Sequence, residues 1–327
     1  MEAPPQIRDT LDYVYTRTPE AHRIAVGIHF GTLPPSAADD REDVARYAAY
    51  VARQLQPRVR LNSNSPAAPL RMNFASCYVQ DHDEDSHFFH AVAGVIGVAD
   101  GVGGCRSAGV DAAAFSRGLM GNAFSEVSAS DLGKPVCPYT ILDRAYQRTA
   151  ASGTPGASTA VIVSLAGKAL RWAYIGDSGF ALFRDGKLLH RSEPQQHYFN
   201  CPFQLFAGEG SHRVSGAAVG EIAVEEGDVL VVASDGLFDN VFDSTLERTV
   251  QMGTAFNFTP QHMADIMAGQ AHNASMDASK DSPFSVAARE HGLTCTGGKQ
   301  DDITVVVAFV ESQDDMTTDL PVSRLRT

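Results

Sequence analysis

Cysteine is scarce in this chain and badly placed for a framework. Five stand among 327 residues, at 77, 105, 137, 201 and 295, and no two share a C-x-x-C spacing. An odd, scattered set argues against zinc sites and disulfide scaffolds and for a reducing compartment. No window reaches ~18 unbroken apolar residues, so no membrane span is expected. Positive charge is also short: 26 Lys and Arg against 39 Asp and Glu give a net charge of −13, with no long basic run. That disfavours duplex nucleic acid or an anionic membrane surface as the main partner. It leaves the substrate open, because a metal site reverses the local sign. No 20–50-residue repeat is found. The opening Met1-Glu2-Ala3-Pro4-Pro5 lacks the basic and apolar blocks of a signal peptide. An intracellular protein is expected, with the cytoplasm favoured and the mitochondrion open if a targeting segment has been removed.

What is present fits a soluble globular enzyme, expected as a monomer: 44% hydrophobic and 20% charged residues in a chain sized for one large domain. Residues 1–22 read as a peripheral lead-in, 23–312 as one domain and 313–327 as a polar tail. Strand patterns occur at 23–30, 76–80, 88–99, 158–165, 170–175, 180–184, 187–191, 221–224, 228–234 and 303–310. Helical spacing marks 39–56, 110–128 and 139–151, with shorter helices near 244–252 and 260–274. Segment 57–69 reads as a surface loop. Arg184-Asp185-Gly186-Lys187 is a two-residue hairpin signal, and Asp185 is assigned to that turn alone. Asp81-His82-Asp83-Glu84-Asp85 reads as a solvated hairpin tip. An EF-hand loop would need Gly and Glu where Ser86 and Val92 stand. Residues 194–203 are polar and aromatic without period, either a loop over a site or a long connector, and His197 alone reads as structural. Short connections between strands predict antiparallel sheets with helices packed outside.

The chemistry gathers at strand ends. Asp100 follows the apolar run 95–99 and precedes Gly101. Asp177 lies in Ile-Gly-Asp-Ser. Asp235 lies in Ala-Ser-Asp-Gly-Leu-Phe-Asp-Asn. Asp301 and Asp302 precede the strand at 303–310. Converging ends would put several carboxylates in one small volume, where they cannot all ionise without protons or cations. Oxygen-only ligands suit Mg2+ or Mn2+, and two such ions can activate water and clamp a phosphoryl group.

Five motifs carry a resemblance. Asp-Gly-Val-Gly-Gly (100–104), Gly-Ala-Ser-Thr-Ala (156–160), Gly-Asp-Ser-Gly (176–179), Ser-Asp-Gly-Leu-Phe-Asp-Asn (234–240) and Gly-Lys-Gln-Asp-Asp-Ile-Thr (298–304) occur in this order. The chain resembles the metal-dependent type-2C serine/threonine protein phosphatases over roughly residues 70–312. The stretch 190–205 looks like the branch with mitochondrial and plastid members. The resemblance implies an α+β fold, a four-layer α-β-β-α sandwich of two mainly antiparallel sheets. It implies hydrolysis of phosphoserine and phosphothreonine in a phosphoprotein substrate by a metal-bound hydroxide. Asp100 would bridge two ions and Gly101 would offer its carbonyl. Asp235 and Asp301 would complete one ion's shell, and Asp177 would help hold a weaker third. Asp239 and Asp302 would support these ligands from behind. Val102 stands where many members have a proposed general-acid His, which leaves protonation of the leaving group to metal-bound water.

One departure follows from the same resemblance. The family places an acidic pair before the strand that precedes the Asp-Gly strand. The stretch 73–79 matches that place, and there Phe74 and Ala75 stand for the acids. On that alignment the second metal is weak, and a catalytically impaired pseudophosphatase acting as a binding module is the alternative. Arg71, just before, is the nominated phosphate-binding residue. Other chemistries fail on spacing. No cysteine is followed by Arg at the cysteine-phosphatase distance. No Asp-x-Asp-x-Thr/Val follows an apolar strand. Counting Gly-x-Gly-x-x-Gly from Gly101 puts Arg106 at the last position.

Overall fold

The computed structural model describes residues 69–104, 109–131, 134–208, 211, 213–313 and 324–326. The strand expected at 23–30, the helix at 39–56, the lead-in and nearly all of the 57–69 loop lie outside the described residues. In chain order the elements are β1 (Leu70–Val79), β2 (Ser86–His90), β3 (Val95–Ala99), α1 (Ala113–Ser128), α2 (Pro138–Ala151), β4 (Ala157–Ser158), β5 (Ala160–Ala166), β6 (Ala169–Ile175), β7 (Gly179–Arg184) and β8 (Lys187–Arg191). Then come β9 (Gln196–Tyr198), β10 (Cys201–Pro202), β11 (Leu205–Phe206), β12 (Ala218–Ala223), β13 (Val229–Ala233), α3 (Asp235–Phe238), α4 (Asp243–Ala255), α5 (Pro260–Ser275), α6 (Pro283–Glu290), β14 (Ile303–Ser312) and β15 (Arg324–Arg326).

The period-two alternation of the strands builds four layers. One sheet runs β1-β14-β13-β7-β8 and the other β12-β6-β5-β3-β2-β15. The strand pairings in both are antiparallel. Leu230 and Val232 of β13 and Val306 and Ala308 of β14 face the other sheet, meeting Ile96, Val98, Val161 and Val163. The intervening Val229, Val231, Val305 and Val307 turn outward onto Leu246 and Val250 of α4 and Met263 and Met267 of α5. On the far side, Val95, Ala160 and Ile162 pack against Phe115 and Leu119 of α1 and Ile141 and Leu142 of α2. Both faces of each central strand are buried, which is why these segments read as nearly unbroken apolar runs. Burying one such Val or Leu side chain contributes about 1.5–3 kcal/mol.

Several boundaries differ from the sequence reading: β1, expected over 76–80, starts at Leu70, and β12, expected over 221–224, starts at Ala218. The strand expected over 88–99 is a hairpin, β2 and β3, turning at Gly94, whose φ is +60°. The turn residues Ala91, Val92 and Ala93 are apolar, so the hydrophobic pattern ran through it. In the expected tail, Arg324–Arg326 adds an edge strand beside β2. The Asp185-Gly186 turn is as expected, with both residues at positive φ, 51° and 71°, joining β7 to β8.

Candidate metal-binding phosphatase site

Antiparallel register brings the aspartates to one edge. Ala233 at the end of β13 pairs with Val305 near the start of β14, so Asp235 lies beside Asp301 and Asp302. Ser234 fixes that corner: its N–H donates to the Thr304 carbonyl at 3.2 Å, and its Oγ accepts the Thr304 N–H at 3.0 Å. In the other sheet Val98 pairs with Val161 and Ala160 with Ile175, so Asp100, Thr159 and Asp177 share an end. Thr159 N–H donates to the Asp100 carbonyl at 2.9 Å, and the Thr159 hydroxyl accepts the Asp100 N–H at 3.2 Å. The turn after Asp100 admits only glycine. A Cβ at Gly101 would meet the backbone oxygens of Ala112 and Glu84, the latter at 2.8 Å. Gly176 sits at φ +98°, with the Phe203 carbonyl 2.7 Å from where its Cβ would be.

The run Asp81–Asp85 is solvated only at its start, where Asp81 and His82 are exposed. Glu84 and Asp85 are 5% and 3% exposed. The Asp302 carboxylate organises the loop. Its Oδ1 accepts the backbone N–H groups of Asp81, His82 and Asp83 at 2.6, 2.8 and 3.0 Å, and its Oδ2 accepts that of Glu84 at 2.5 Å. Burial works against the Asp302 charge, but these four donors hold its carboxyl below the ordinary value. From α1, Ser116 Oγ donates to the Glu84 carbonyl at 2.5 Å, and Arg117 binds the Asp83 carbonyl and carboxylate at 2.9 Å. The loop therefore delivers Asp85 to the aspartate cluster. The strand before the Asp-Gly strand is β2, and the acidic pair immediately before it is Glu84-Asp85.

That geometry corrects the alignment with Phe74 and Ala75. Both belong to β1, and Phe74 is buried between the sheets, stacked on Phe89 with ring centroids 5.5 Å apart. The argument for a weak second metal, and with it the argument for a pseudophosphatase, loses its basis. Arg71 is corrected too. It pairs across the sheet with Glu311 and ion-pairs with its carboxylate at 2.7 Å. Glu311 lies eight residues along β14 from Ile303, which at strand rise puts Arg71 about 27 Å from the acidic edge.

Electrostatics single out the cluster. Burial, then the charges of Asp235, Asp85, Asp301 and Asp177, push the Asp100 carboxyl well above the usual range. Burial and Asp302 do the same to Asp85, against the Ser234 and Thr304 hydroxyls. Burial and Asp235 raise Asp177 and Asp301 each to about 7. Burial raises Asp239 to about 6, against the attraction of Lys299. Carboxylate oxygens of the cluster, Asp177 Oδ1 and Asp235 Oδ1 among them, are buried with no hydrogen-bond partner. Mutually repelling, oxygen-only groups with orphaned acceptors are what a hard divalent cation satisfies. The site residues thus fit Mg2+ or Mn2+.

Several contributors escaped the sequence reading. Lys299 Nζ pairs with Asp235, with Asp239 at 2.9 Å and with Asp301 at 3.1 Å. Asn240 holds the Lys299 backbone by both groups, at 2.9 and 2.8 Å. Segment 194–203 resolves as a loop over the site: Gln196 Nε2 donates to Asp177 Oδ2 at 3.0 Å, and Gln195 N–H to the Gly176 carbonyl at 2.9 Å. His197 lies against Phe203, with ring centroids 4.7 Å apart and the planes tilted by 48°. Helix α6 was missed because it spans only eight residues; its sign was the Ser282–Ser285 capping box with Pro283 at the first turn. It carries Phe284, and the Lys299 ammonium lies 5.7 Å from that ring's centroid.

Comparison with known proteins agrees with this geometry. Residues 90–311 match the family model described as stage II sporulation protein E. A protein of Oryza sativa subsp. japonica, provisionally named protein phosphatase 2C 24, is 49% identical over 95% of this chain and 100% of its own length. The human protein phosphatase PTC7 homolog is 40% identical over 69% of this chain and 78% of its own. The X-ray structure of the photosystem II phosphatase PBCP superposes with a TM-score of 0.64 at 30% identity, covering 73% of this chain and 99% of that one. With the two-sheet sandwich and the aspartate edge, these matches show that the chain belongs to the protein phosphatase 2C family and is a protein phosphatase.

Proposed function

We propose that this phosphatase removes phosphate from phosphoserine and phosphothreonine side chains of protein substrates and depends on Mg2+ or Mn2+. The observation that carries the reading is the convergence of Asp85, Asp100, Asp177, Asp235 and Asp301 where the ends of the two sheets meet, with buried carboxylate oxygens left unpartnered. Asp85, Asp100, Asp235 and Asp301 would hold two ions, with the Gly101 carbonyl as a further ligand. Asp177, fixed by Gln196, would supply its free Oδ1 to a third position. When bound, the ions supply Lewis acidity toward the phosphoryl group and toward water. Asp302 keeps the Asp85 loop in place, and Asp239 anchors Lys299. The Thr159 and Ser158 hydroxyls lock the backbone of Asp100, since Ser158 Oγ donates to the Asp100 carbonyl at 2.8 Å. Positions fixed in this way lower the cost of organising a charged transition state. With no His after Asp100-Gly101, proton delivery to the leaving alkoxide falls to water in the site.

The test is hydrolysis of phosphoserine and phosphothreonine peptides by the full chain, stripped of metal and then titrated with Mn2+ or Mg2+. Turnover is expected only with added ion, and Asp100→Asn should lower it by at least about 100-fold. Undiminished turnover after chelation would overturn the metal assignment. A preference for phosphotyrosine peptides would overturn the substrate class.

A further inference from the structure

The cation at the centre of the cluster belongs to the chain itself. Among the described residues, no three carboxylates converge tightly enough to hold one metal ion as they stand. Three do converge on the Lys299 ammonium, which contacts Asp235 Oδ2, Asp239 Oδ2 and Asp301 Oδ2. Its side chain is 19% exposed, so solvent screens these contacts weakly. The ammonium also divides the oxygen set. Asp235 keeps only Oδ1 free, and Asp301 spends Oδ1 on the Asp302 N–H at 2.9 Å and Oδ2 on Lys299. Two of the carboxylates assigned to metal in the reading above are therefore partly occupied by a resident positive charge. Asn240 clamps the Lys299 backbone on both sides, so the lysine is anchored where its amine reaches the cluster.

We infer that Lys299 is a positioning residue that competes with divalent metal: it bridges Asp235, Asp239 and Asp301, offsetting part of their charge in the metal-free enzyme, and must yield Asp301 and one side of Asp235 for an ion to bind fully. The inference rests on the metal reading above. It explains how a chain with this many buried carboxylates at one point folds before it meets metal. It also makes the metal requirement a property of a single side chain. A like-charged ion approaching within a few ångströms of a buried ammonium meets a repulsion worth several powers of ten in affinity unless the ammonium moves.

Opposite signs identify a competitor. Take the full chain stripped with EDTA, and compare the parent with Lys299→Met and Lys299→Arg. Measure the thermal midpoint without metal and Mn2+ affinity by calorimetry. Lys299→Met should lower the metal-free midpoint by about 4 °C or more, and should bind Mn2+ about tenfold more tightly or better. Lys299→Arg keeps the charge and should bind Mn2+ within about threefold of the parent. Unchanged or weaker Mn2+ binding by Lys299→Met overturns the inference, since a lysine of purely structural value loses both properties together. A Met variant that folds only in Mn2+ supports it. If that variant folds in neither condition, acetylation of Lys299 in the parent decides, followed by mass spectrometry. Mn2+ should speed labelling as the amine is released, and unaltered labelling overturns the inference. Absence of Mn2+ uptake by the parent and both variants withdraws the metal reading and this competition together, whereas uptake indifferent to Lys299 removes the competition alone.

Discussion

The Asp302 carboxylate accepts the backbone N–H of Glu84 at 2.5 Å across 218 residues of sequence. With the N–H groups of Asp81, His82 and Asp83 on its other oxygen, it turns an acidic run into a shaped loop that presents Asp85 to the site. Asp302→Ala should remove four charge-assisted acceptor contacts at a buried position. The expected result is a loss of at least about 2 kcal/mol in urea unfolding. The loss of activity should exceed what unfolding explains, because Asp85 is misplaced even in folded molecules. Activity equal to the parent's at a temperature where the variant is fully folded would show that the loop does not need this anchor.

With the acidic pair at Glu84-Asp85, acids placed at positions 74 and 75 have no metal to serve. Placing Phe74→Glu and Ala75→Asp on β1 should not improve catalysis. Phe74 is 5% exposed against Phe89 between the sheets, so a carboxylate there should destabilise by about 4 kcal/mol or more. Asp85→Asn, by contrast, should leave the unfolding midpoint of the metal-free protein unchanged or raised, while cutting metal-dependent turnover by about 10–100-fold. Thermal melts beside phosphopeptide assays distinguish the two positions.

Arg71 should prove dispensable for chemistry. Its pair with Glu311 is about a quarter exposed on both sides, and such pairs contribute about 0–1 kcal/mol. Arg71→Ala should leave KM and kcat for a phosphopeptide within about twofold, and Asp185→Asn, in the β7–β8 turn, should do the same. A large rise in KM for Arg71→Ala would place phosphate where the structure does not.

Stability of the metal-free protein should depend on pH in a definite direction. Asp177 and Asp301 are raised to about 7 and Asp239 to about 6, against an unfolded value near 3.8. Between those limits the folded state holds more protons than the unfolded one. Their contribution to stability is therefore full below pH ~4 and is lost as pH rises through about 6–7. Melts in EDTA should fall across that interval, beyond what other groups cause, and saturating Mn2+ should flatten the fall. The triple change Asp177→Asn, Asp239→Asn and Asp301→Asn should abolish the same slope. A slope unaffected by those changes would assign it elsewhere.

Much of this protein was legible before folding. Antiparallel sheets with helices outside follow from short strand connections and from nearly unbroken apolar runs such as β13 and β14, while their division into two stacked sheets came with the family resemblance. The Asp-Gly pairs at 100 and 235 were equally visible, since a glycine next to a carboxylate at a strand end marks a close backbone approach. What the sequence could not supply was the pairing of distant groups. Asp81–Asp85 looks like any charged hairpin tip until Asp302, brought alongside by the β1–β14 register, gathers its N–H groups. Lys299 reads as an ordinary polar neighbour of two aspartates until β13 and β14 set Asp235, Asp239 and Asp301 around its amine. Phe74 and Arg71 took roles from the linear alignment because spacing along one strand carries no information about which end of it meets the site. Local sterics and hydrophobic period are written in neighbouring residues. Convergence of charge depends on register between strands remote in sequence, and that only the tertiary structure decides.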